Sequence, residues 1–362
     1  MKDFIKGMDL CHDFFTDYGR PVLTRKFPGL LYSAGLLGFG SDVLGYDDAV
    51  STDHMWGPRF YLFLRETDLA EKKDAIMAAF SHAFPYMYKG YAVHFSPPDP
   101  NDGGVRHAVE IRSGPVSPLV YIQSVDAFLS EYLGTHDLTH LTPADWLAFS
   151  EHRLLALRAG RLFYDALGLA NSIAPLRFYP DDVRLYLIAS QWSLIAEEQA
   201  FVKRCGMVGD DMGSRIVATR IAERLMRLCF LYKGQYAPYS KWFGTAFSAL
   251  PVQAKIKDAI KALLSTDDLP TREDAAAHAQ LYIAELHNES GVNPRISASI
   301  TTYFGRDIKV IWANRIADTL KTALKGGFFE DLPLIGSVSQ IGSFTALSDN
   351  PHEQMRIKEF YS

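Results

Sequence analysis

Gly40-Ser41 follows an apolar run from Leu30 to Leu37, and a second β-like run, Arg59 to Leu64, comes after it. The pair therefore falls where a strand turns toward a helix start. A glycine there lets the backbone approach a phosphate chain closely, and the serine hydroxyl with the free amides of a helix N-terminus offers donors to an anion. Asp53, with Ser51 two positions ahead, precedes the second run and is placed to grip a divalent cation. Transfer at a phosphate of this kind uses two cations about 4 Å apart, bridged by carboxylates. A further acid comes from Glu110 in His107-Ala-Val-Glu-Ile-Arg112, where it alternates with apolar neighbours on a short β-like run. Each has a plainer reading: Gly40-Ser41 as a tight turn, Asp53 as an N-cap or turn acid, Glu110 as an edge-strand acid facing water. Asp47 and Asp48 are a further source of carboxylate, though adjacent acids in a loop commonly serve the turn itself.

The second half holds candidates for positive charge and for a base. Lys241, in Tyr239-Ser240-Lys241-Trp242-Phe243-Gly244, sits among aromatic residues and reads as a phosphate partner with Ser240 beside it, or as a cation held on a ring. Glu197 and Glu198 share a helix with Trp192 and Phe201, so one of them points inward, where burial raises a carboxyl pKa and suits a general base. Glu198 is taken as that residue; the alternative is one solvated and one ion-paired acid. His136 and His140 are four apart, but without a third ligand nearby they read as surface or capping residues. Arg227 is within reach of a phosphate in principle, on a helix whose aromatic companions read as core.

These residues need a mixed scaffold. A leading helix covers residues 3 to 18; short apolar runs at Leu30–Phe39, Phe60–Leu64, Tyr91–Phe95 and His107–Ile111 read as strands of one sheet, with a helix over Asp68–Phe84 between them. Ser96 to Gly104 is a proline- and glycine-rich excursion between two strands. After residue 120 helical spacing dominates: Val125–Leu133, Pro143–Leu147, Glu151–Leu167, Asp181–Cys205, Ser214–Tyr232, Val252–Leu264 and Arg272–Ser290. Arg295–Tyr303 reads as extended, and Val310–Leu324 as a further helix. The expected fold class is α+β, with a sheet domain over residues 1–120 and a helical bundle over 121–362.

The block from Gly38 to Arg59, with Gly40-Ser41 and then Asp53 about a dozen residues on, resembles the DNA polymerase β-like nucleotidyltransferase superfamily. Within it, Gly45-Tyr-Asp-Asp48 and Asp53-His-Met-Trp-Gly-Pro58 are similar to an uncharacterised bacterial family of unknown function, and Gln191-Trp192, Glu197-Glu198, Met226-Arg-Leu-Cys-Phe230 and Tyr236 to Gly244 extend the resemblance over most of the chain. The family pattern has aspartate where this chain has Met55, and a thioether does not replace a hard oxygen ligand. The resemblance implies a plan like that of antibiotic nucleotidyltransferases, with a nucleotidyltransferase-like sheet domain before the bundle. It implies transfer of a nucleoside monophosphate from a nucleoside triphosphate, taken as ATP, to a hydroxyl of a small molecule or protein. Asp53 and Glu110 would hold Mg2+, Gly40 and Ser41 the triphosphate, Ser240 and Lys241 its outer phosphates, with Asp53, Glu110 and Glu198 as the catalytic set. The alternative is a catalytically impaired nucleotide-binding or regulatory protein, since Met55 occupies the second acid position. A helical interaction module fused to a small sheet is a third reading.

Composition agrees with a small polar substrate or a protein partner. A formal charge of −5 and a pI near 6.1 argue against a nucleic-acid binder with a broadly basic face. Cys11, Cys205 and Cys229 are widely spaced, which fits a reducing, cytoplasmic setting, and no stretch reads as a membrane span or leader.

Overall fold

The computed structural model describes residues 4–52 and 54–342, together with 344, 347 and 350–361. The chain divides into two compact units: residues up to His140 with Arg153–Arg177, and Leu141–His152 with Phe178 onward. The sequence places one passage from sheet to bundle, between residues 120 and 121. The chain instead leaves the first unit, contributes a short segment to the second, and returns.

The first unit opens with α1 (Gly7–Phe14), a π-helical turn over Phe15–Gly19, and α2 (Arg20–Lys26). There follow β1 (Tyr32–Leu36), β2 (Arg59–Leu64), α3 (Glu66–Ala83), the two-residue strands β3 (Met87–Tyr88) and β4 (Tyr91–Ala92), β5 (Leu119–Gln123) and α4 (Val125–Leu133). After α5 (Pro143–Ala148), which belongs to the second unit, come α6 (Glu151–Ala159), β6 (Arg161–Asp165) and α7 (Leu169–Ser172). The main sheet has the order β5-β2-β1-β6, antiparallel on both sides of β1 and parallel between β2 and β5.

Every residue of β1 and β2 is buried, which is why both read as unbroken apolar runs. Phe60, Leu62 and Leu64 pack on one face with Phe14, Phe15, Ile76 and Phe80. Each such fully buried side chain contributes about 1.5–3 kcal/mol relative to exposure. The opposite face carries Arg59, Tyr61 and Phe63. There Tyr61 stacks on Tyr121 at 4.7 Å, and Phe63 meets Phe128 edge-on at 5.3 Å.

Three expectations are corrected in this unit. His107–Ile111 is not a strand: Phe95↔Ala108 and Asp99↔Val105 are single bridges, and Ala108, Val109 and Glu110 are all exposed, so their alternation has no face to bury. Glu151–Leu167 is not one helix, because α6 ends at Ala159 and, after Gly160, the chain runs as β6 along β1. Residues 121–123, placed with the helical half by the boundary at 120, belong instead to the parallel edge strand Leu119–Gln123.

The second unit is helical: α8 (Asp181–Glu198), α9 (Phe201–Met207), α10 (Asp211–Lys233), α11 (Ser240–Ala249), α12 (Ala254–Ser265) and α13 (Leu269–Glu289). A hairpin of β7 (Thr301–Tyr303) and β8 (Arg306–Val310) precedes α14 (Ala313–Thr322). Helix α8 packs on α14 and α10, and α13 on α10 and α12. Trp192, fully buried on α8, donates Nε1 to the Tyr232 hydroxyl on α10 at 2.9 Å, so the largest core side chain also satisfies its polar atom. The single helix expected over Asp181–Cys205 stops at Glu198 and resumes at Phe201 as α9. The helix expected from Val310 begins only at Ala313, because Val310 ends β8 and Trp312 takes a left-handed backbone at φ +58°. The architecture is thus α+β, a sheet-bearing N-terminal part followed by mainly helical structure. Among the described residues, no helix is long and apolar enough to cross a membrane.

Candidate functional site

The loop after β1 is built from beneath. Arg59, the first residue of β2, places Nη2 at 2.9 and 3.0 Å from the two carboxylate oxygens of Asp42 and at 3.0 Å from the Phe39 carbonyl oxygen. Both side chains of the ion pair are 1% exposed. The guanidinium lies over the Phe39 ring at 4.5 Å. Burial works against its charge, but the Asp42 carboxylate offsets this and the pKa stays above the ordinary arginine value.

Above this pair the backbone is tightly turned. Gly40 has φ +113°, and a Cβ there would lie 2.1 Å from Asp42 Oδ1 and 2.6 Å from Arg59 Nη2, so only glycine fits. The helix expected after Gly40-Ser41 shrinks to one α-turn, Leu44 N–H to Gly40 O at 3.3 Å, and the Ser41 carbonyl then accepts from Tyr46 and Asp47 at 2.8 and 3.2 Å. Among the described residues, none accepts a hydrogen bond from the N–H groups of Gly40, Ser41 or Asp42. Gly40 is exposed and Ser41 half-buried, with the Ser41 hydroxyl 3.5 Å from the Ser51 carbonyl. Successive amides without a partner among the described residues, at a turn that is exposed at Gly40 and buried at Asp42, are the kind of donors an anion can take.

The acids of the block are largely committed to structure. Asp47, 1% exposed, accepts through Oδ2 from the Gly7 N–H at 2.6 Å and from Trp56 Nε1 at 3.1 Å. It thereby caps α1 from a distant loop. Its Oδ1 stands 3.4 Å from Lys6 Nζ without hydrogen-bond geometry. Asp48 accepts from the Val50 and Ser51 N–H groups at 2.9 and 2.8 Å, the turn role that adjacent acids commonly take. Asp53, expected as catalytic and as a metal ligand, lies outside the described residues. Met55, half-buried, is held at φ +49°, a left-handed conformation uncommon for a side chain of this kind. Glu110 sits on exposed coil. Among the described residues, no three His, Cys, Asp or Glu side chains gather in a way that would hold a metal ion.

The bundle candidates separate. Glu198 has both oxygens engaged, Oε1 by Arg220 and Oε2 by Arg220 and Arg224. It is therefore an ion-paired acid and not the inward-facing base that helix sharing suggests, while Glu197 is exposed. Lys241 is exposed with Nζ 5.0 Å above the Trp242 ring, the cation–ring arrangement. His140 Nδ1 pairs with Asp137 Oδ2 at 2.8 Å on the surface.

Ser240, at the start of α11, instead lines a cavity of about 320 Å³ with Glu151, His152, Glu223, Arg227 and Phe243. The buried Glu151 carboxylate takes the Ala237 N–H on Oε1 at 3.0 Å, and its Oε2 faces Arg227 Nη1 at 3.5 Å. Arg227 gives Nε and Nη2 to Glu223 Oε1 at 3.1 and 2.9 Å and lies over the Phe243 ring at 5.2 Å. Burial raises the Glu151 pKa, opposed by Arg227 and by the Ala237 amide. Arg59 and Glu151 went unassigned in the sequence. Arg59 in Gly-Pro-Arg-Phe, an arginine opening a fully apolar strand, is a signal that could have been read, whereas nothing local marks Glu151 as buried.

A family profile described as a domain of unknown function (DUF4037) matches residues 146–243. The match includes Glu151, His152, Glu223, Arg227, Tyr239 and Ser240, and the second-half residues that carried the resemblance as far as Phe243, but not the Gly38–Arg59 block. Among solved structures, the chain is similar to a nucleotidyltransferase-like protein from Exiguobacterium sibiricum 255-15, at 12% identity over 82% of this chain and 97% of that one, with a TM-score of 0.31. No curated protein matches.

Proposed function

We propose that this chain is a nucleotidyltransferase-like protein that binds a nucleoside triphosphate, ATP in the first instance, at the loop Gly40–Asp42 and transfers the nucleoside monophosphate to a hydroxyl of a small molecule or protein. The observation that supports this reading is the row of three amides at Gly40, Ser41 and Asp42 that have no partner among the described residues, beside the buried Asp42–Arg59 pair. Such a row recognises the oxygens of a phosphate through charge-assisted hydrogen bonds, which are the stronger kind. Asp53 and Glu110 belong to the reading as carboxylates for Mg2+. A cytoplasmic setting belongs to it as well.

Met55 favours a second reading, binding without turnover. The thioether stands at the second acid position, on a backbone held at φ +49°. Loss of one carboxylate from a cation site removes several kcal/mol of transition-state stabilisation but leaves the amide cradle intact.

One experiment separates the readings. Wild type and Met55→Asp are compared for the Tm shift with ATP and MgCl2 and for pyrophosphate release. A nucleotide at a hundred times its Kd stabilises the native state by about 2.7 kcal/mol, a shift of several degrees. Turnover by wild type supports transfer, and binding by both with turnover only by Met55→Asp supports the impaired protein. No Tm shift in either variant refutes both.

A further inference from the structure

The cavity of the second unit goes beyond the nucleotide reading and is independent of it. At its polar end Glu151 Oε2 takes no hydrogen bond from any described residue, and Arg227 Nη1, 3.5 Å away, donates none. An acceptor and a donor thus face each other slightly too far apart to satisfy one another. Both groups therefore keep hydrogen-bonding capacity for a molecule that enters the cavity. The rest of the wall is mixed: Met226, Phe243 and Leu264 give its main apolar surface, beside His152, Ser240 and Ser339.

The charges restrict what that partner can be. Two carboxylates, Glu151 and Glu223, flank a single guanidinium, so an anion meets more repulsion than attraction. A cation drawn to Glu151 would stand beside Arg227 in a partly desolvated site. A neutral hydroxyl meets neither penalty, because its hydrogen and its lone pairs serve the two sides at once.

We propose that this cavity binds a small neutral molecule through one hydroxyl, which donates to Glu151 Oε2 and accepts from Arg227 Nη1 while an apolar body lies against Met226, Phe243 and Leu264. A volume of about 320 Å³ suits a compact ligand. The elevated pKa of Glu151 is in keeping with a carboxylate poorly served by the protein alone.

The test uses the full chain with benzyl alcohol and with toluene, which has the same ring without the hydroxyl and is smaller, so steric exclusion does not separate them. Saturation-transfer NMR titrations should show benzyl alcohol binding about tenfold more tightly than toluene, the order expected for a hydrogen bond to a charged group. Glu151→Gln should remove that preference while leaving toluene unchanged, and Thr219→Trp, at the exposed rim of the cavity, should weaken both probes without touching the polar pair. Equal affinity for the two probes, an undiminished preference in Glu151→Gln, or no binding of benzyl alcohol to the wild type overturns the proposal. Because neither probe resembles a nucleotide, these outcomes are separate from those of the ATP experiment.

Discussion

Replacing Asp42 by asparagine should destabilise the first unit through one identifiable debt. Arg59 is 1% exposed, and among the described residues its Nε and Nη1 have no hydrogen-bond partner, so Nη2 carries the side chain's polar satisfaction there. Of the three acceptors around Nη2, at 2.9, 3.0 and 3.0 Å, two are the Asp42 oxygens, and the third, the Phe39 carbonyl, carries no formal charge. Breaking a buried pair by removing one partner costs about 3–5 kcal/mol. Asparagine keeps the shape and one carbonyl acceptor, which places Asp42→Asn near the lower end, about 3 kcal/mol. That is a large share of a total stability of about 5–15 kcal/mol. The assay is a double-mutant cycle in urea with Asp42→Asn, Arg59→Met and the pair, followed by far-UV circular dichroism. Because the double variant buries no uncompensated charge, it should be no less stable than Asp42→Asn alone. A cost below about 1 kcal/mol for Asp42→Asn, or single costs that simply add within about 0.5 kcal/mol, would refute the reasoning.

Two further outcomes follow from burial. Burial pushes the Cys11 thiol up to about 12, with Asp42 adding to the rise, and pushes Cys229 up to about 12 as well, whereas Cys205 is half-exposed. Ellman's reagent at pH 8 should therefore titrate Cys205 alone in the native protein and all three thiols in urea; rapid native labelling of Cys11 counts against the packing of α1 on the loop. Glu151 has a folded pKa above its ordinary 4.5, so the native state binds more protons between that value and the raised one. The stability contributed by the carboxyl is then present below 4.5 and is lost as pH rises through the raised value. The urea midpoint of wild type relative to Glu151→Gln, measured from pH 4 to 8, should fall as pH rises, and parallel pH profiles contradict the assignment.

The extent to which the site was legible varied with the range of the forces involved. Gly40-Ser41 announced a turn after a strand because glycine's freedom is local, and the structure has that turn. The helix after it reduced to a single turn because Asp42, instead of continuing a helical surface, is drawn down to Arg59 17 positions away. Asp47 and Asp48 read as turn acids, but only the folded chain shows Asp47 capping α1 across 40 residues. Glu198 suggested an inward-facing base from its neighbours on one helix, and two arginines on α10 claimed it.

By itself the sequence determined which segments bury and with what period: the apolar runs of β1 and β2, the helices α8, α10, α12 and α13, and the turn at Gly40. Those depend on contacts within a few residues and on the hydrophobic character of each stretch. Pairing was decided only by the tertiary structure. Leu119–Gln123 and Arg161–Asp165 become strands because β2 and β1 offer free edges to them, and Glu151 becomes a buried acid because α10 and the segment before α11 close around it. Hydrogen-bond ladders and desolvation act between residues far apart in the chain, and a local pattern carries no record of which partner will be there.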